Sequence, residues 1–485
     1  MNLGLTVLVV GCVLAASVAV AFGAAKSGLP ALVAFLVLGM LLGSDGPGGI
    51  AFDDAQLARE VGVVALAAIL YEGGLSTSWR RLREVMAPAL LLSTIGVAVT
   101  AAITGAAAYG LFDLSLTKAL LLGAVVASTD AAAVFAAVRG TRLRPHLAHT
   151  LEAESGANDP VGIALTLGLI AWIEQPGYGA ADLSVLLLRQ LGLGLVIGVA
   201  LGFAAMWIFA RIPASIEAFV PVASVATAAI AYGAADVVRG SGFLAVYLVG
   251  LAVGSTPSVY RSQIVAFHVG LAYVAQVALF IVLGLLVFPS QLPAVALSGL
   301  ALAAVLICIA RPAAVWGSTF TMRIFDQRER LFLGWAGLRG AVPIVLATFV
   351  LSSHVDGANT IFNAVFFVVL VSAVLQGTTL EWVAEKLGLL TSFPVVEAPL
   401  EVTRHGRSLS LVEFAVAAEH AIVGSVVRDL DLPREALIAL VVRGEEAVPP
   451  RGSTVIEPGD VLFILTPDGK GPELGDVFSR WRRHP

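Results

Sequence analysis

The sequence predicts an all-α polytopic membrane protein that ends in a small α+β cytoplasmic domain. The chain has 485 residues, of which 58% are hydrophobic and 13% are charged, whereas soluble domains are about 45–50% apolar and about 25% charged. Long apolar runs fill the chain as far as residue 390, and charges with short alternating apolar runs replace them from Glu397 onward. We therefore expect a transmembrane domain at 1–390, a linker at 391–398, a cytoplasmic domain at 399–472 and a tail at 473–485.

Thirteen apolar runs indicate membrane-spanning helices, and the second and ninth of them are short for a crossing. They lie near residues 3–25, 29–43, 57–75, 86–110, 117–138, 149–173, 184–210, 216–237, 242–256, 264–288, 292–320, 331–352 and 358–381. No basic residue precedes the first run, so we interpret it as a transmembrane helix and not as a cleaved signal peptide.

The basic residues of the loops favour one orientation. With the N-terminus outside, the inside loops carry twelve basic residues and the outside loops and adjoining helix ends carry four. The twelve are Lys26, Arg80, Arg81, Arg83, Arg139, Arg142, Arg144, Arg211, Arg261, Arg323, Arg328 and Arg330, and the four are Arg59, Lys118, Arg189 and Arg239. Because basic residues concentrate on the cytoplasmic side, we expect a multi-pass protein of the cell (inner or plasma) membrane with a cytoplasmic C-terminal domain.

Residues 151–160 place several polar side chains where the composition predicts the membrane interior. At 100° per residue, four of them fall within about 140° of one helical circumference and can share a face. These four are Glu154, Ser155, Asn158 and Asp159. A carboxylate at this depth is costly, so its default interpretation is an ion site, a proton relay or a paired charge. Pro160 removes one backbone N–H and loosens the helix beside Asp159.

Two further predicted spans are interrupted by polar or flexible residues. Ser128-Thr129-Asp130 lies in the middle of the fifth span, and Gly337-Leu-Arg-Gly-Ala-Val-Pro343 lies in the twelfth. Such sequences are best explained by locally unwound helices whose free carbonyls and half-helix ends face a cavity. If spans 1–6 and 8–13 are inverted repeats, the fifth span corresponds to the twelfth. Matched interruptions of this kind point to the midplane site of a transporter.

The residue types suit a monovalent alkali cation. Asp159 and Asp130 offer hard oxygen ligands, and Thr129, Ser155 and freed carbonyls can join them. Desolvation and a second nearby carboxylate both favour the neutral form of each acid. A cation and a proton then compete for the same carboxylate, and that competition is exchange. No His/Cys cluster with metal-ligand spacing is present, so no other metal is expected.

Four residues are expected to support the site. Arg339 is interpreted as a counter-charge for Glu154, since an unpaired buried guanidinium would be costly. Asn158 is neutral and is expected to hold backbone or neighbouring side chains in place. Glu72, near the predicted cytoplasmic end of the third span, is a further candidate. Capping of a half-helix by Asp130 is an alternative role that can coexist with ion binding.

The C-terminal region reads as a small mixed domain. Leu411–Val416, Leu437–Val442 and Asp460–Leu465 are predicted strands, Gly424–Leu430 a short helix, and Glu457–Asp460 a tight turn. No Gly-x-Gly-x-x-Gly follows any of these strands, so a Rossmann nucleotide domain is not expected.

The three polar segments carry a resemblance. Glu154–Pro160, Ser128–Asp130 and Gly337–Pro343 resemble the motifs of the monovalent cation:proton antiporter superfamily, and the Asn158–Asp159 pair resembles the NhaP-type branch, which is associated with electroneutral exchange. Residues 245–250, 271–276 and 283–287 resemble the potassium/proton antiporters named for cell-volume regulation. Residues 400–470 resemble the TrkA-C (RCK-C) regulatory domain of potassium-transport proteins.

The resemblance implies a homodimer with a dimerisation domain and a mobile core domain that alternates like an elevator. It implies Asp159 as the carboxylate that binds cation and proton, Asp130 and Thr129 in the crossing helix, Ser155 nearby, and Glu154 paired with Arg339. The nucleotide-binding domain that often precedes TrkA-C is missing. No tightly bound cofactor is therefore expected, and a nucleotide or cyclic dinucleotide regulator of the C-terminal domain stays open.

Three functional hypotheses follow. The leading one is secondary active antiport of K⁺ against H⁺ across the membrane, with a role in potassium, pH and volume homeostasis. The alternative is Na⁺ or Li⁺ exchange for H⁺ at the same site. A gated cation channel or a ligand-sensing membrane protein is a third class, although no Thr-Val-Gly-Tyr-Gly-like filter is present. Without a nucleophile elbow or phosphate loop, an enzyme is not expected. Membrane lipids are the expected surroundings, and no nucleic-acid partner is expected.

Overall fold

The computed structural model describes residues 3–27, 30–130, 143–256, 260–322, 324–390, 409–417, 419–444, 446–467, 477–478 and 480–481. The chain forms two compact units, a helical one that ends at Leu389 and a second that begins at Leu390 and continues to the C-terminus.

The first unit contains sixteen α-helices within the described ranges. They are α1 (Leu3–Ser27), α2 (Ala31–Leu42), α3 (Ala55–Ser76), α4 (Trp79–Leu91), α5 (Val97–Leu111), α6 (Leu116–Val125), α7 (Pro145–Glu174), α8 (Ala180–Phe209), α9 (Val220–Val237), α10 (Gly242–Ser255), α11 (Arg261–Leu285), α12 (Leu292–Val305), α13 (Arg311–Thr319), α14 (Gln327–Trp335), α15 (Ala341–Leu351) and α16 (Ala358–Lys386).

The helical pattern confirms a polytopic membrane fold. Eight helical stretches of the described residues are long and apolar enough to cross a membrane, and α2, α6, α10 and α15 are shorter apolar helices. The total of thirteen spans stays a prediction, because the short helices do not reach the length of a crossing by themselves. The second half of the predicted fifth span, from residue 131 onward, lies outside the described residues.

Two of the predicted spans contain π-helical turns, at Leu92–Gly96 between α4 and α5 and at Leu306–Ala310 between α12 and α13. These are the fourth and eleventh predicted spans, which correspond to each other in the proposed inverted repeat. Such turns are frequent at functional sites. The second π turn leads directly into Arg311.

The scaffold of α2, α3, α10 and α11 packs through close backbone contacts. A Cβ atom at Gly74 of α3 would lie 2.8 Å from the backbone nitrogen of Leu251 in α10, and one at Gly39 of α2 would lie 2.8 Å from the Cα atom of Gly284 in α11. Only glycine permits this approach, because any side chain would collide with backbone that cannot rotate away. These positions fix the helix spacing of this half of the unit.

The second predicted interruption is confirmed, and the helix of the first one ends where predicted; the two places meet. The chain leaves the helical conformation after α6, at 126–130, and again between α14 and α15, at 336–340. The backbone N–H of Asp130 donates to the carbonyl oxygen of Leu338 at 2.9 Å, and the N–H of Ala341 donates to Asp130 Oδ2 at 2.8 Å. The end of α6 and the break before α15 therefore bring free backbone groups and a carboxylate to one place.

The second unit contains a four-stranded antiparallel sheet in the order β1-β4-β2-β3, formed by β1 (Leu409–Ala415), β2 (Leu437–Arg443), β3 (Glu446–Val448) and β4 (Asp460–Pro467). Its core includes Phe414, Val441, Leu462 and Trp481. The three predicted strands are confirmed, and the three-residue strand β3 was not predicted because it is too short to show alternation.

The predicted helix Gly424–Leu430 is wrong. Only a single 3₁₀ turn forms, at Val427–Asp429. The backbone N–H of Gly424 donates to Ile456 at 2.9 Å and that of Val427 donates to Thr454 at 3.0 Å. These groups are thus committed to a neighbouring segment and cannot form a continuous helix.

The tight turn before β4 is built around Asp460. Arg443 donates from Nε to Asp460 Oδ1 at 2.8 Å and from Nη2 to Oδ2 at 2.9 Å, and the N–H of Glu457 donates to Oδ2 at 2.8 Å. Burial by itself would raise the pKa of Asp460, but the hydrogen bonds from Arg443 and Glu457 outweigh it and hold that pKa below its ordinary value. This cluster locks the turn to the sheet.

Candidate ion-binding site

Asp159 lies in the middle of α7 and is only 3% exposed. Ser128, in the first break, donates a hydrogen bond from Oγ to Asp159 Oδ1. Ser128 Oγ also lies 3.1 Å from Asn158 Oδ1. Sequence reasoning placed Ser128 in the interrupted span but did not include it among the site residues. Its position directly before Thr129-Asp130 was the signal that could have identified it.

The other predicted polar residues surround this carboxylate. Thr129 Oγ1 and Ser155 Oγ are 3.1 Å apart, and Asn158 donates from Nδ2 to Thr129 Oγ1. All of these side chains are buried. The structure therefore brings Asp159, Asn158, Ser155 and Thr129 together at the first helix break, where Asn158 donates a hydrogen bond to the side chain of Thr129.

Asp130 adopts the capping arrangement. Its Oδ2 accepts from the first N–H of α15, and its carboxylate lies where a Cβ atom on Gly340 would have to be. A negative charge at a helix N-terminus is stabilised by the free N–H groups and the helix dipole. Asp130 also lines the same pocket as Asp159, so its cap position leaves it facing the candidate ion site.

The structure pairs Glu154 with Arg311 and not with Arg339. Arg311 donates from Nη1 to Glu154 Oε1 and from Nη2 to Oε2, the second at 2.8 Å, and both side chains are buried. The expected Glu154–Arg339 pair is therefore corrected. The π turn before α13 helps to position Arg311 against α7, and a charge inside the apolar run 292–320 was the sequence signal for it.

Arg339 instead clamps the two breaks. Its Nη1 donates to the carbonyl oxygen of Ala127 at 2.5 Å, and its backbone N–H donates to Ser372 Oγ at 3.1 Å. The side chain is 1% exposed. Because Ala127 belongs to the first break and Arg339 to the second, this contact fixes one broken helix against the other.

A pocket of ≈ 50 Å³ opens onto Asp159 and Asp130. Its wall includes Glu72, near the C-terminal end of α3, and Glu152, in α7. Ser76 Oγ donates to Glu72 Oε1 at 2.7 Å, and Thr77 Oγ1 donates to Glu152 Oε1 at 2.8 Å. This space is large enough for a water molecule, which needs about 10–15 Å³ on the same measure. The candidate residue Glu72 thus lies on the approach to the site.

A second cavity, of ≈ 470 Å³, lies at the opposite end of α3. Arg59 lines it, with its guanidinium carbon 4.3 Å from the ring centre of Phe349 and Nη1 3.4 Å from Ser352 Oγ. Ile163 also lines it, one helical turn from Asp159. The two cavities therefore lie at opposite ends of α3, and both extend towards Asp159.

A buried carboxylate among hydroxyl groups, at the crossing of two broken helices in a polytopic fold, defines a secondary transporter and not an enzyme. Residues 13–386 match the family described as "Sodium/hydrogen exchanger, transmembrane". Residues 411–478 match the TrkA-C domain. The chain belongs to the sodium/hydrogen exchanger family and carries a TrkA-C domain at its C-terminal end.

Several relatives are similar over most of the chain. The K(+)/H(+) antiporter NhaP2 of Shewanella sp. (strain MR-4) is 39% identical over 97% of this chain and 83% of its own length. The K(+)/H(+) antiporter NhaP of Alkalimonas amylolytica is 38% identical over 98% of this chain and 84% of its own length. The solved structure of the sodium proton antiporter MjNhaP1 from Methanocaldococcus jannaschii matches with a TM-score of 0.71 at 26% identity, over 80% of this chain and 99% of that one.

Proposed function

We propose that this antiporter exchanges K⁺ for H⁺ and that both ions use Asp159. The observation that carries the proposal is one buried carboxylate, Asp159, beside the neutral Asn158 and the hydroxyls of Ser155 and Thr129. Potassium is favoured over sodium because the relatives that are 38–39% identical over nearly the whole chain are named K(+)/H(+) antiporters. The Na(+)/H(+) antiporter ApNhaP of Aphanothece halophytica is 28% identical over 70% of this chain.

The chemistry is a competition. Ionised Asp159 supplies a negative oxygen for the cation, while the hydroxyls of Thr129 and Ser155 and the carboxylate of Asp130 complete a set of hard ligands. A proton on Asp159 removes that negative charge, and the cation leaves. In this buried site the two ions cannot share the carboxylate, because each neutralises the same charge.

The charges around the site favour electroneutral exchange. Glu154 is neutralised by Arg311, and Asn158 adds no charge. The charge of Asp130 is stabilised at the N-terminus of α15 and stays the same whether K⁺ or H⁺ occupies Asp159. Asp159 is then the exchangeable charge, and it crosses the membrane neutralised once by K⁺ and once by H⁺. One cation moves for each proton, and no net charge is transferred.

Alternating access follows from the two cavities. The pocket at Asp159 lies towards the end of α3 that precedes Arg80, Arg81 and Arg83, and on the basis of the positive-inside rule we propose that it opens to the cytoplasm. The larger cavity then belongs to the outer side. We propose that the helices bearing the breaks move against the scaffold of α2, α3, α10 and α11, in a homodimer of the cell membrane with the N-terminus outside.

The TrkA-C domain is proposed to regulate this exchange from the cytoplasm, with a nucleotide or cyclic dinucleotide as the ligand class to test. Its sheet holds no part of the ion site, since all the site residues lie before Leu389. Regulation would therefore act on rate or access and leave the ion chemistry unchanged.

The direct test uses proteoliposomes with an internal pH dye. Added K⁺, Rb⁺, Na⁺ and Li⁺ are compared for their ability to dissipate an imposed pH gradient, with Asp159→Asn as the inactive control. We expect K⁺ to be the most effective and the rate to be independent of a clamped membrane voltage. A preference for Na⁺ would establish the alternative exchange, and a voltage-dependent rate would contradict electroneutrality.

A further inference from the structure

We propose that Arg59 is a positioning residue that holds α15 against the scaffold at the outer end of α3, and that this contact favours the state in which Asp159 is open to the cytoplasm. The inference rests on the alternating access proposed above, because it concerns the balance between the two access states. It assigns that balance to a contact at the end of α15 opposite to the ion site.

The helix α15 connects the ion site to Arg59. It has eleven residues, and the backbone N–H of Ala341 at its N-terminus donates to Asp130. At the other end, the guanidinium carbon of Arg59 lies 4.3 Å from the ring centre of Phe349. Arg59 Nη1 also donates to Oγ of Ser352, the C-cap residue of α15, at 3.4 Å. A positive group at the C-terminus of a helix interacts favourably with the helix dipole.

The contact joins two parts of the molecule that are proposed to move relative to each other. Arg59 belongs to α3 of the scaffold, whereas α15 begins directly after the second break. One helical turn from Arg59, a Cβ atom on Gly62 would lie 3.0 Å from Cγ1 of Val345, so the two helices are tightly packed here. A cation–π contact extends to only about 6 Å from the ring centre. Movement of α15 along α3 therefore breaks the contact between Arg59 and Phe349.

The contact is made in a state in which Asp159 faces the inner pocket. Asp159 lines that pocket together with Glu72 of α3 and Ala341 of α15. Within the described part of the chain, the wall of the larger cavity beside Arg59 does not include Asp159. Because Arg59 and Phe349 meet in this state and part in the opposite one, their contact stabilises the cytoplasm-open state.

The effect on transport can be stated as a ratio. The apparent affinity for K⁺ on each face is reduced by the fraction of molecules open to that face. The ratio of the outer KM to the inner KM therefore follows the ratio of the cytoplasm-open population to the outward-open one. Loss of one cation–π contact changes such an equilibrium about fivefold. We expect Arg59→Gln to lower the KM ratio about fivefold, and Arg59→Lys, which keeps a cation at the ring, to stay within about twofold of the wild type.

The experiment measures K⁺-dependent H⁺ movement by the full-length protein in right-side-out and everted membrane vesicles, which give the KM of each face. Phe349→Leu is the decisive variant, because it removes the ring and leaves every charge in place. It should lower the KM ratio about as much as Arg59→Gln, and the double variant should lower it no further. If Arg59→Gln lowers the ratio and Phe349→Leu does not, Arg59 acts by repelling incoming cations and the inference is overturned.

Arg189→Gln is the matched control. Arg189 is an exposed arginine of α8 that is assigned to the same side of the membrane, so its replacement removes the same charge. It should keep the wild-type ratio. If Phe349→Leu does not assemble, the Arg59→Gln ratio is measured again in concentrated choline chloride, since salt screens repulsion of incoming ions but not a packed contact. An effect that disappears in salt would refute the inference, and one that persists would support it.

Failure of the inference and failure of the proposed function give different results. If the wild-type protein does not exchange K⁺ for H⁺ in either orientation, the proposed cation is wrong. The KM ratios are then measured with Na⁺, because the inference concerns access to the site and not the choice of cation. If the wild type is active and Arg59→Gln leaves the ratio unchanged, the role of Arg59 is wrong, and exchange at Asp159 is unaffected.

Discussion

The buried pair of Arg311 and Glu154 allows a quantitative test of how charge is arranged in the core. Both guanidinium Nη atoms donate to the carboxylate, and both side chains are almost completely buried. Removing one partner of such a pair leaves an uncompensated charge, which costs about 3–5 kcal/mol. We therefore expect Glu154→Leu and Arg311→Met each to lower the free energy of unfolding by about that amount.

The double variant is the decisive arm. Replacing both residues with apolar side chains leaves no unpaired charge, so it should be no less stable than either single variant. Two losses of about 3–5 kcal/mol that do not add give a coupling of at least about 3 kcal/mol. Pairs that do not touch usually add to within about 0.5 kcal/mol.

The assay is denaturant unfolding of the purified proteins in detergent, followed by fluorescence. The control is a second double-mutant cycle, which combines Glu154→Leu with Arg339→Met. Arg339 is also buried, but it bonds to the carbonyl of Ala127. Its coupling should be clearly smaller than that with Arg311. A larger coupling to Arg339 would show that the charge pairing described here is wrong.

Three further predictions concern other parts of the chain. Gly340→Ala should strongly reduce exchange and stability, since its methyl group would displace Asp130 from the cap of α15. Gly110→Ala is the control and should be neutral, because a methyl group there meets nothing within 4 Å. Exchange rates and melting temperatures of the two variants are compared. A chain ending at Leu389 should still exchange K⁺ for H⁺ in proteoliposomes but lose any response to nucleotides, and complete loss of exchange would contradict the division of labour. The lowered pKa of Asp460 stabilises the second unit above its ordinary pKa of about 4, and this contribution is lost as the pH falls through the folded value. Limited proteolysis with mass spectrometry should therefore show the sheet opening at acidic pH in the wild type, and already at neutral pH in Asp460→Asn.

Most of the fold and of the candidate site can be predicted from hydropathy and from the polar residues that interrupt the apolar runs. Apolar runs predicted the helices, and polar residues inside them predicted where helices break, because the membrane interior penalises both charge and unpaired backbone. The Ser128–Asp130 segment and Asp159 can be identified in this way, since their polar residue types differ from the apolar residues around them.

The same reasoning does not predict which residues that are distant in the sequence will contact each other. The sequence argument pairs Glu154 with Arg339 because an unpaired buried guanidinium would be costly, but the packing of α13 against the core brings Arg311 to Glu154 instead. Ser128 was passed over because a serine in a membrane helix is unremarkable until its acceptor is known. In the second unit, the failed helix at Gly424–Leu430 reflects backbone hydrogen bonds to residues 452–456, which lie about 30 residues away in sequence and leave no local signal.

The central claim is that a proton and a cation compete for Asp159, and proton release on cation binding measures it most directly. Purified protein in a weakly buffered detergent solution is titrated with K⁺ while the pH and the bound cation are recorded. We predict one proton released per K⁺ bound at a pH where the site is protonated, and neither binding nor release in Asp159→Asn. Binding of K⁺ without proton release, or undiminished release in Asp159→Asn, would contradict the account.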